Sequence, residues 1–498
     1  MDFIENLGLG FEYILSPEVL LLVFLGSIAG TLLGILPGIG SSASLALLFP
    51  VTIGMPVTSA LAFLSSVYLG SMYGGRVTSI LVNIPGDAGA IVTAFDGYPM
   101  MKKGQGGIAL GISAVGSFIG GLFTIILLAV FAPMLANWAL YFSSPEFFAL
   151  ILLGIASIAS LSEKNYLKAI IMALLGFLLS VIGLDFITGT ARYVYNTQLT
   201  EGLDFIAVII GLYAVGEVIY NIEKEFKLNI KKSEIKLANL FPKWGDIKKT
   251  MGSILRGTGI GAAIGMLPGA GASMATFLSY SIEKNRSKEP EKFGEGKIQG
   301  VSGPEAANNA SVGGSLIPTF ALGIPGSATT AILLGVLIIY GLQPGPRIFD
   351  SSPDIVWTVI IGLFIANIML LLANIFLIPT FIRLMYYGQK YLNIIIIFIC
   401  IIGAYTLAYS MFNIWIVIIF GILGYFFKKL SYPTAPLIMA LILGPMAEDS
   451  FRQSLLMSRG DMTVFFTRPI SLIIILITIG FLLYPIIKRR ITAKRNNV

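Results

Sequence analysis

Apolar runs of near-membrane length follow one another along almost the whole chain, and they constrain its fold more than any single motif. They lie at about 18–36, 57–73, 105–132, 146–161, 164–182, 203–220, 251–267, 326–341, 354–381, 390–407, 412–427, 433–447 and 470–487. A helix needs roughly 20 apolar residues to cross the hydrocarbon layer, and a backbone in lipid has to satisfy its own hydrogen bonds. Hydrophobic residues make up 56% of the chain and charged residues 12%. Soluble domains run nearer about 45–50% and about 25%. The expectation is an all-α polytopic membrane protein with about 11–13 membrane segments.

The first residues, MDFIENLGLGFEYILSPE, are acidic and lack Lys and Arg, so they do not read as a cleavable signal with a basic start. Cys400 is the single cysteine, which excludes an internal disulfide and a multi-cysteine metal site; a buried apolar filler is expected. No metal-ligating set is found.

Basic residues set the expected orientation. Lys224, Lys227, Lys231, Lys232, Lys236, Lys243, Lys248 and Lys249 crowd the connection 221–250, and Lys488, Arg489, Arg490, Lys494 and Arg495 crowd the tail. Both are expected in the cytoplasm, with Lys102–Lys103, the turn at 163–168, the turn from Arg383 to Lys390 and Lys428–Lys429. The connections near 133–145 and 408–411, free of Lys and Arg, fall outside with the N-terminus. Arg452, Arg459 and Arg468 in 448–469 dissent, because the same counting places them outside. The net charge of +7 is therefore topology and not a nucleic-acid footprint. A multi-pass protein of the inner (cytoplasmic) membrane is the expected setting.

One motif occurs twice. GILPGIGSSASLA at 34–46 is echoed by GMLPGAGASMATF at 265–277, and GGRVTSILVNIPGDAGA at 74–90 by GGSLIPTFALGIPGSATT at 313–330. Pro37 to Pro268 is an offset of 231, and Pro85 to Pro325 one of 240. An odd number of expected crossings separates the copies, which makes them antiparallel, the inverted repeat common in secondary transporters. The expected organisation is a first inverted repeat at 1–220, a basic cytoplasmic linker at 221–250, a second inverted repeat at 251–469, and a final membrane helix with a basic cytoplasmic tail at 470–498.

Proline inside a helix costs about 3 kcal/mol or more, and irregular backbone at membrane depth survives only against protein or a wet cavity. Four matched breaks, Pro37–Gly38, Pro85–Gly86, Pro268–Gly269 and Pro325–Gly326, therefore point to broken helices or re-entrant hairpins around a cavity. Interrupted helices turn their N-terminal amides inward, each worth about 0.3–1 kcal/mol to an anion. Scattered glycines such as Gly116, Gly120 and Gly121 read instead as close-packing positions.

The polar residues beside the breaks are Arg76, Thr78, Ser79 and Asn83 in the first half and Asn308, Asn309, Ser311, Ser327, Thr329 and Thr330 in the second. Uncharged donors of this kind can hold a carboxylate and release it. Arg76, Thr78, Ser79, Asn83, Asn308, Asn309, Ser327, Thr329 and Thr330 are the candidate substrate residues. A single Ser or Thr can equally bond back to its own helix. Arg76 can equally snorkel to an interface, although a charge in a membrane segment more often marks function.

LPGxG, YGG..TSILVNIPG, DGYPM, GLD..TG..R, SKEPEKFGEG, GPEAANNA, GIPGSATTAILLG, LQPGP and FRQSLLMSRGD together resemble the large permease subunit, TctA, of the tripartite tricarboxylate transporters, from about residue 18 to 470. That resemblance implies a small TctB-like membrane subunit, a TctC-like extracytoplasmic binding protein, an organic carboxylate substrate such as citrate, and import driven by an ion gradient. The match departs at Arg76, where the family more often has a small residue, and at Asp87, where the residue after IPG varies.

Importing a trianion against 100 mV costs roughly 7 kcal/mol, so cations have to accompany it. No P-loop is present: Gly296–Lys297 is followed by Ile and lacks the upstream spacing. With no histidine in the chain, a coupling proton would ride on Asp87, Asp185, Glu305 or Glu448. Sodium would sit among carbonyls near Gly38, Gly40, Gly269 and Gly271 with hydroxyls of Ser41, Ser42 and Ser273, and is favoured. The carboxylates also have structural readings, such as Asp185 with Arg192 and Asp449 with Arg452.

The leading function is a binding-protein-dependent, ion-coupled carboxylate importer that moves a hairpin unit against a static scaffold as an elevator. The alternative is a free-standing carrier or channel. An enzyme is not expected: no H-E-x-x-H motif and no serine with a base nearby is present. The segment 283–297 is either a solvated connector or a docking surface.

Overall fold

In a computed structural model of the chain, the backbone is described for residues 3–36, 38–161, 166–185, 188–223 and 240–496. The first half runs α1 (Phe3–Ile14), α2 (Pro17–Ile35), α3 (Gly40–Leu48), α4 (Val57–Val82), α5 (Ile91–Lys102), α6 (Gly106–Ala139), α7 (Ser144–Leu161) and α8 (Tyr166–Ser180). A two-stranded hairpin follows, β1 (Gly183–Leu184) against β2 (Ala191–Arg192), the one strand pair among the described residues. Next come α9 (Phe205–Ile209), a π-helical turn (Ile210–Val215) and α10 (Gly216–Glu223), which form one continuous rod.

The second half runs α11 (Trp244–Gly265), α12 (Gly271–Arg286), α13 (Gln299–Leu322), α14 (Ala328–Ile339), α15 (Ile348–Ser351) and α16 (Pro353–Phe376). It continues with α17 (Ile378–Ala408), α18 (Met411–Lys429), α19 (Ala435–Met457), α20 (Val464–Thr467) and α21 (Pro469–Asn496).

Each apolar run coincides largely with a helix, except that 354–381 crosses the junction of α16 and α17. Among the described residues, 5 helices are long and apolar enough to cross a membrane: α2, α6, the rod Phe205–Glu223, α16 and α18. Others are shorter apolar helices, such as α14, because a Pro-Gly break halves the segment. The 26 residues of α4 and the 24 of α13 have the length, but the polar groups and glycines they bury keep their mean hydropathy low.

Glycines set the packing. Gly30 and Gly34 of α2 lie on the main chain of Val67 and Ser71 in α4, and Gly70 and Gly74 return the contact onto Ser27 and Thr31. The pair α11 and α13 does the same through Gly257 on Gly303, Gly261 on Ala307 and Gly265 on Ser311. Such backbone-to-backbone contact replaces the hydrophobic effect as the source of helix association in lipid. Gly116 and Gly120 of α6 rest on Ser302 and Ala306 of α13, and Gly121 on Asn367 of α16, so their expected packing role is met. Cys400 is buried and apolar in its surroundings.

Two of the dissenting arginines, Arg452 and Arg468, are paired, and Arg192 joins them. Arg452 reaches Asp185 at 2.8 Å and Glu448 at 2.7 Å, Arg192 reaches Asp185 and Glu448 at 3.0 Å, and Arg468 reaches Glu146 at 2.6 Å. The expected Asp185–Arg192 pair forms. The expected Asp449–Arg452 pair does not: Asp449 accepts from Gln453 at 2.9 Å. Glu448 lies four residues before Arg452, on the same helix face, and that face meets the hairpin carrying Asp185.

Within the 221–250 connection, residues 224–239 lie outside the described residues, as do 163–165 of the basic turn and the side chains of Lys390 and of the tail from 484 onward.

The segment 283–297 is an ordered cap. Asp96 of α5 accepts main-chain N–H bonds from Gly294 (3.0 Å), Gly296 (2.7 Å) and Lys297 (2.6 Å) on one oxygen and the Tyr280 hydroxyl (2.9 Å) on the other. On its outer side, Glu289 is held down to about 2 by hydrogen bonds from Lys292 and Lys297. The cap ties α5 of the first half to the connection between α12 and α13 of the second.

Candidate functional site

Two left-handed residues end each half's first hairpin arm. Gly38 (φ 81°) and Gly40 (φ 56°) turn the chain from α2 into α3, and Gly269 (φ 77°) and Gly271 (φ 58°) turn α11 into α12. Side chains are strained in that region, so the LPGxG spacing is what this turn requires. Pro37 lies outside the described residues; Pro268 sits in the turn.

The second break is built alike in both halves. Asn83 (φ 59°) ends α4 with the N–H groups of Asn83 and Ile84 on the Thr78 carbonyl. Gly323 (φ 70°) ends α13 with those of Gly323 and Ile324 on the Pro318 carbonyl. Asn is the residue other than Gly that tolerates this conformation best. Pro85 and Pro325 follow in the extended link.

Within each half the two breaks are joined. The Gly38 N–H donates to the Gly86 carbonyl at 3.1 Å, and the Gly269 N–H to the Gly326 carbonyl at 2.9 Å. Any side chain at Gly86 would fall on the Gly34 carbonyl and 2.6 Å from the Gly75 Cα; one at Gly326 would meet the Ser315 Cα at 2.8 Å.

Across the halves the helix starts meet. Ser41 and Ser42, opening α3, reach the Thr329 hydroxyl in the first turn of α14 at 2.7 and 3.0 Å. At the matching place Ala272, opening α12, lies beside Gly89, just before α5: a Cβ on Gly89 would be 3.1 Å from that of Ala272. Four helix N-termini therefore converge on one region. Their free N–H groups and partial positive charge favour an anion there.

The caps differ in charge. Ser327 and Thr330 close a capping box on α14, with the Thr330 N–H on the Ser327 hydroxyl at 3.2 Å and the Ser327 N–H on the Thr330 hydroxyl at 2.9 Å. Before α5 the corresponding group is Asp87, which accepts from the Ala90 N–H at 2.8 Å.

Asn308 is fully buried, its amide oxygen lies against Gly89, and neither its oxygen nor its nitrogen has a hydrogen-bond partner among the described residues. An unpaired amide of this kind costs about 1–3 kcal/mol, which a ligand at the site would recover. Asn309 donates to Ser117 at 2.8 Å and leaves its oxygen unpaired. Beside it Glu305 accepts from the Thr93 hydroxyl and from Ser117 at 3.3 Å, in a buried polar cluster of α13, α5 and α6.

Other candidates lie apart. Arg76 is buried with its donors taken: the Tyr73 carbonyl at 3.0 Å, the Leu110 carbonyl at 2.9 Å, the Ser113 hydroxyl and the Asn374 oxygen at 2.9 Å. It fastens α4 to α6 and α16. Ser79 bonds back to Gly75 at 3.0 Å, Asn83 is exposed at its turn, and Thr78 is buried with its hydroxyl unpaired. Ser273 is half-buried at the start of α12.

Tyr68, missed in the sequence, places its hydroxyl 3.3 Å from Ser315 beside the second half's break. The offset of 240 between the breaks puts it at the position of Asn308, and that alignment was the signal that could have found it.

The chain matches the family model described as "Tripartite tricarboxylate transporter TctA family" over residues 20–439. It is 40% identical over 472 residues to an uncharacterized 52.8 kDa protein of the TAR-I ttuC' 3' region of Agrobacterium vitis, covering 95% of this chain and 94% of that protein. An uncharacterized protein of the TAR-II ttuC' 3' region of the same organism is 40% identical over 211 residues, covering 42% of this chain and 87% of that protein. No solved structure matches the chain.

Proposed function

The chain belongs to the tripartite tricarboxylate transporter TctA family, and from that premise we propose that it is the large permease subunit of an ion-coupled importer of organic carboxylates. In this reading a binding protein outside the membrane delivers the carboxylate, and a small membrane subunit completes the complex. The observation that carries it is the convergence of four helix N-termini beside the unpaired amide of Asn308.

The matched caps, turns and Gly-to-Gly bonds of the two halves support an inverted repeat whose hairpin pairs form one carrier unit. Its movement against the remaining helices is the transport step, with the N-terminus outside and the basic tail in the cytoplasm. Cargo leaves again because neutral donors hold it.

Asn308→Ala and Arg76→Ala separate binding from architecture. With uptake and membrane abundance measured together, Asn308→Ala is expected to lower uptake at least tenfold, about 1.4 kcal/mol, at near-normal abundance. Arg76→Ala is expected to lower abundance, because it strands acceptors on three helices. Full uptake per molecule in Asn308→Ala would remove the amide from the site and with it this assignment.

A further inference from the structure

We infer that Asp87 and Asn308 form the binding site for the coupling cation, a sodium ion held by the Asp87 carboxylate and the Asn308 amide oxygen at the first half's break. The proposal deepens the transport reading and rests on it for the cargo, not for the site.

The halves themselves supply the comparison. Their breaks share the turn conformations, the capped helix ends and the Gly-to-Gly bond, yet Asp87 stands where the second half has Ser327. Capping does not need the charge: Ser327 closes the start of α14 with a neutral hydroxyl, while Asp87 makes the corresponding bond to Ala90 with a carboxylate. A half-buried carboxylate at the place where helix N-termini would receive an anion also repels that anion. No Lys or Arg among the described residues pairs with it. The main-chain N–H groups before α5 answer part of its charge, and no cationic side chain among the described residues answers the rest.

The partner groups are those a hard cation takes. Sodium is bound by oxygen, and a carboxylate with an amide oxygen and main-chain carbonyls is a fitting donor set. Asn308, fully buried, holds its oxygen without a donor against Gly89, two residues along from Asp87. At the second half's break the place of Asn308 is taken by Tyr68 of α4, whose hydroxyl lies 3.3 Å from that of Ser315, and the place of Asp87 by the neutral Ser327. Of the two matching places, one offers charge and a free oxygen and the other offers neither. A cation bound there cancels the repulsion and lets the anion enter, which couples the two.

Thermal unfolding of the purified full-length protein, without any carboxylate, tests the site directly. Sodium chloride is titrated against choline chloride at constant ionic strength. A ligand that binds the native state raises the melting temperature with its concentration. The wild type is expected to rise with sodium. Asp87→Ser, which keeps a cap like that of Ser327, is expected to melt near the wild type in choline and to lose most of the sodium response. Asp87→Asn, closer in shape, and Asn308→Ala are expected to weaken it too.

A full sodium response in Asp87→Ser and Asp87→Asn would overturn the proposal, as would a wild type that responds to pH and not to sodium, which would put a proton on Asp87. A sodium response that depends on Asp87 in a protein showing no carboxylate uptake would instead keep the site and sink the cargo.

Discussion

Asp96→Ala is expected to destabilise the protein by about 3–5 kcal/mol, since each hydrogen bond to a buried charge is worth about 1.5–3 kcal/mol and such losses do not simply add. Asp96 is fully buried and accepts three main-chain N–H groups and the Tyr280 hydroxyl. Truncation leaves all of them without an acceptor in a place that Met100 and Phe293 help to close. Asp96→Asn keeps an oxygen for the N–H groups and is expected to cost about 1–2 kcal/mol, the difference between a charged and a neutral acceptor. Melting temperature and membrane abundance should fall in the order wild type, Asn, Ala. An Ala variant as stable as the Asn variant would mean that the cap is held by its other contacts.

Gly86→Val and Gly326→Val are expected to abolish uptake, each by separating the two breaks of its own half. In both places the added atoms meet main chain, which cannot rotate away as a side chain can. Overpacking of this kind costs about 1–3 kcal/mol and occasionally more, and it acts on the Gly38–Gly86 or Gly269–Gly326 bond that fixes the helix starts. Gly259→Ala is the control, because nothing lies within 4 Å of a Cβ there. It should leave uptake and abundance unchanged. Normal uptake in either Val variant would show that the joined breaks are not needed for transport.

Local features were legible in the sequence because local physics sets them. Apolar length foretold the helices, and the left-handed turns at Gly38, Gly40, Gly269 and Gly271 follow from LPGxG alone. The Asp185–Arg192 pair was legible, but the partners of Arg76 and Arg452 were not. Arg76 could be recognised as an unusual charge, but its acceptors come from residues 73, 110, 113 and 374, and only the folded chain brings α6 and α16 to it. Arg452 was paired in expectation with its neighbour Asp449, whereas the fold offers Asp185 from a hairpin far away in sequence. DGYPM and SKEPEKFGEG were visible as motifs, and their meeting through Asp96 was not. Tyr68 belongs to no motif, and only the offset of 240 between the breaks sets it beside Asn308.

In the proposed transport cycle, one region shared by both halves receives the carboxylate. Ser42 and Ser273 mark its two sides: each is half-buried and opens the helix that follows an LPGxG turn. Single cysteines placed there can be alkylated while the native Cys400 stays buried. The most direct measurement is the rate of that alkylation with and without a panel of mono-, di- and tricarboxylates. The same carboxylate is expected to slow labelling at both positions. Labelling unchanged by every carboxylate at both positions, in protein that still takes up its substrate, would contradict it.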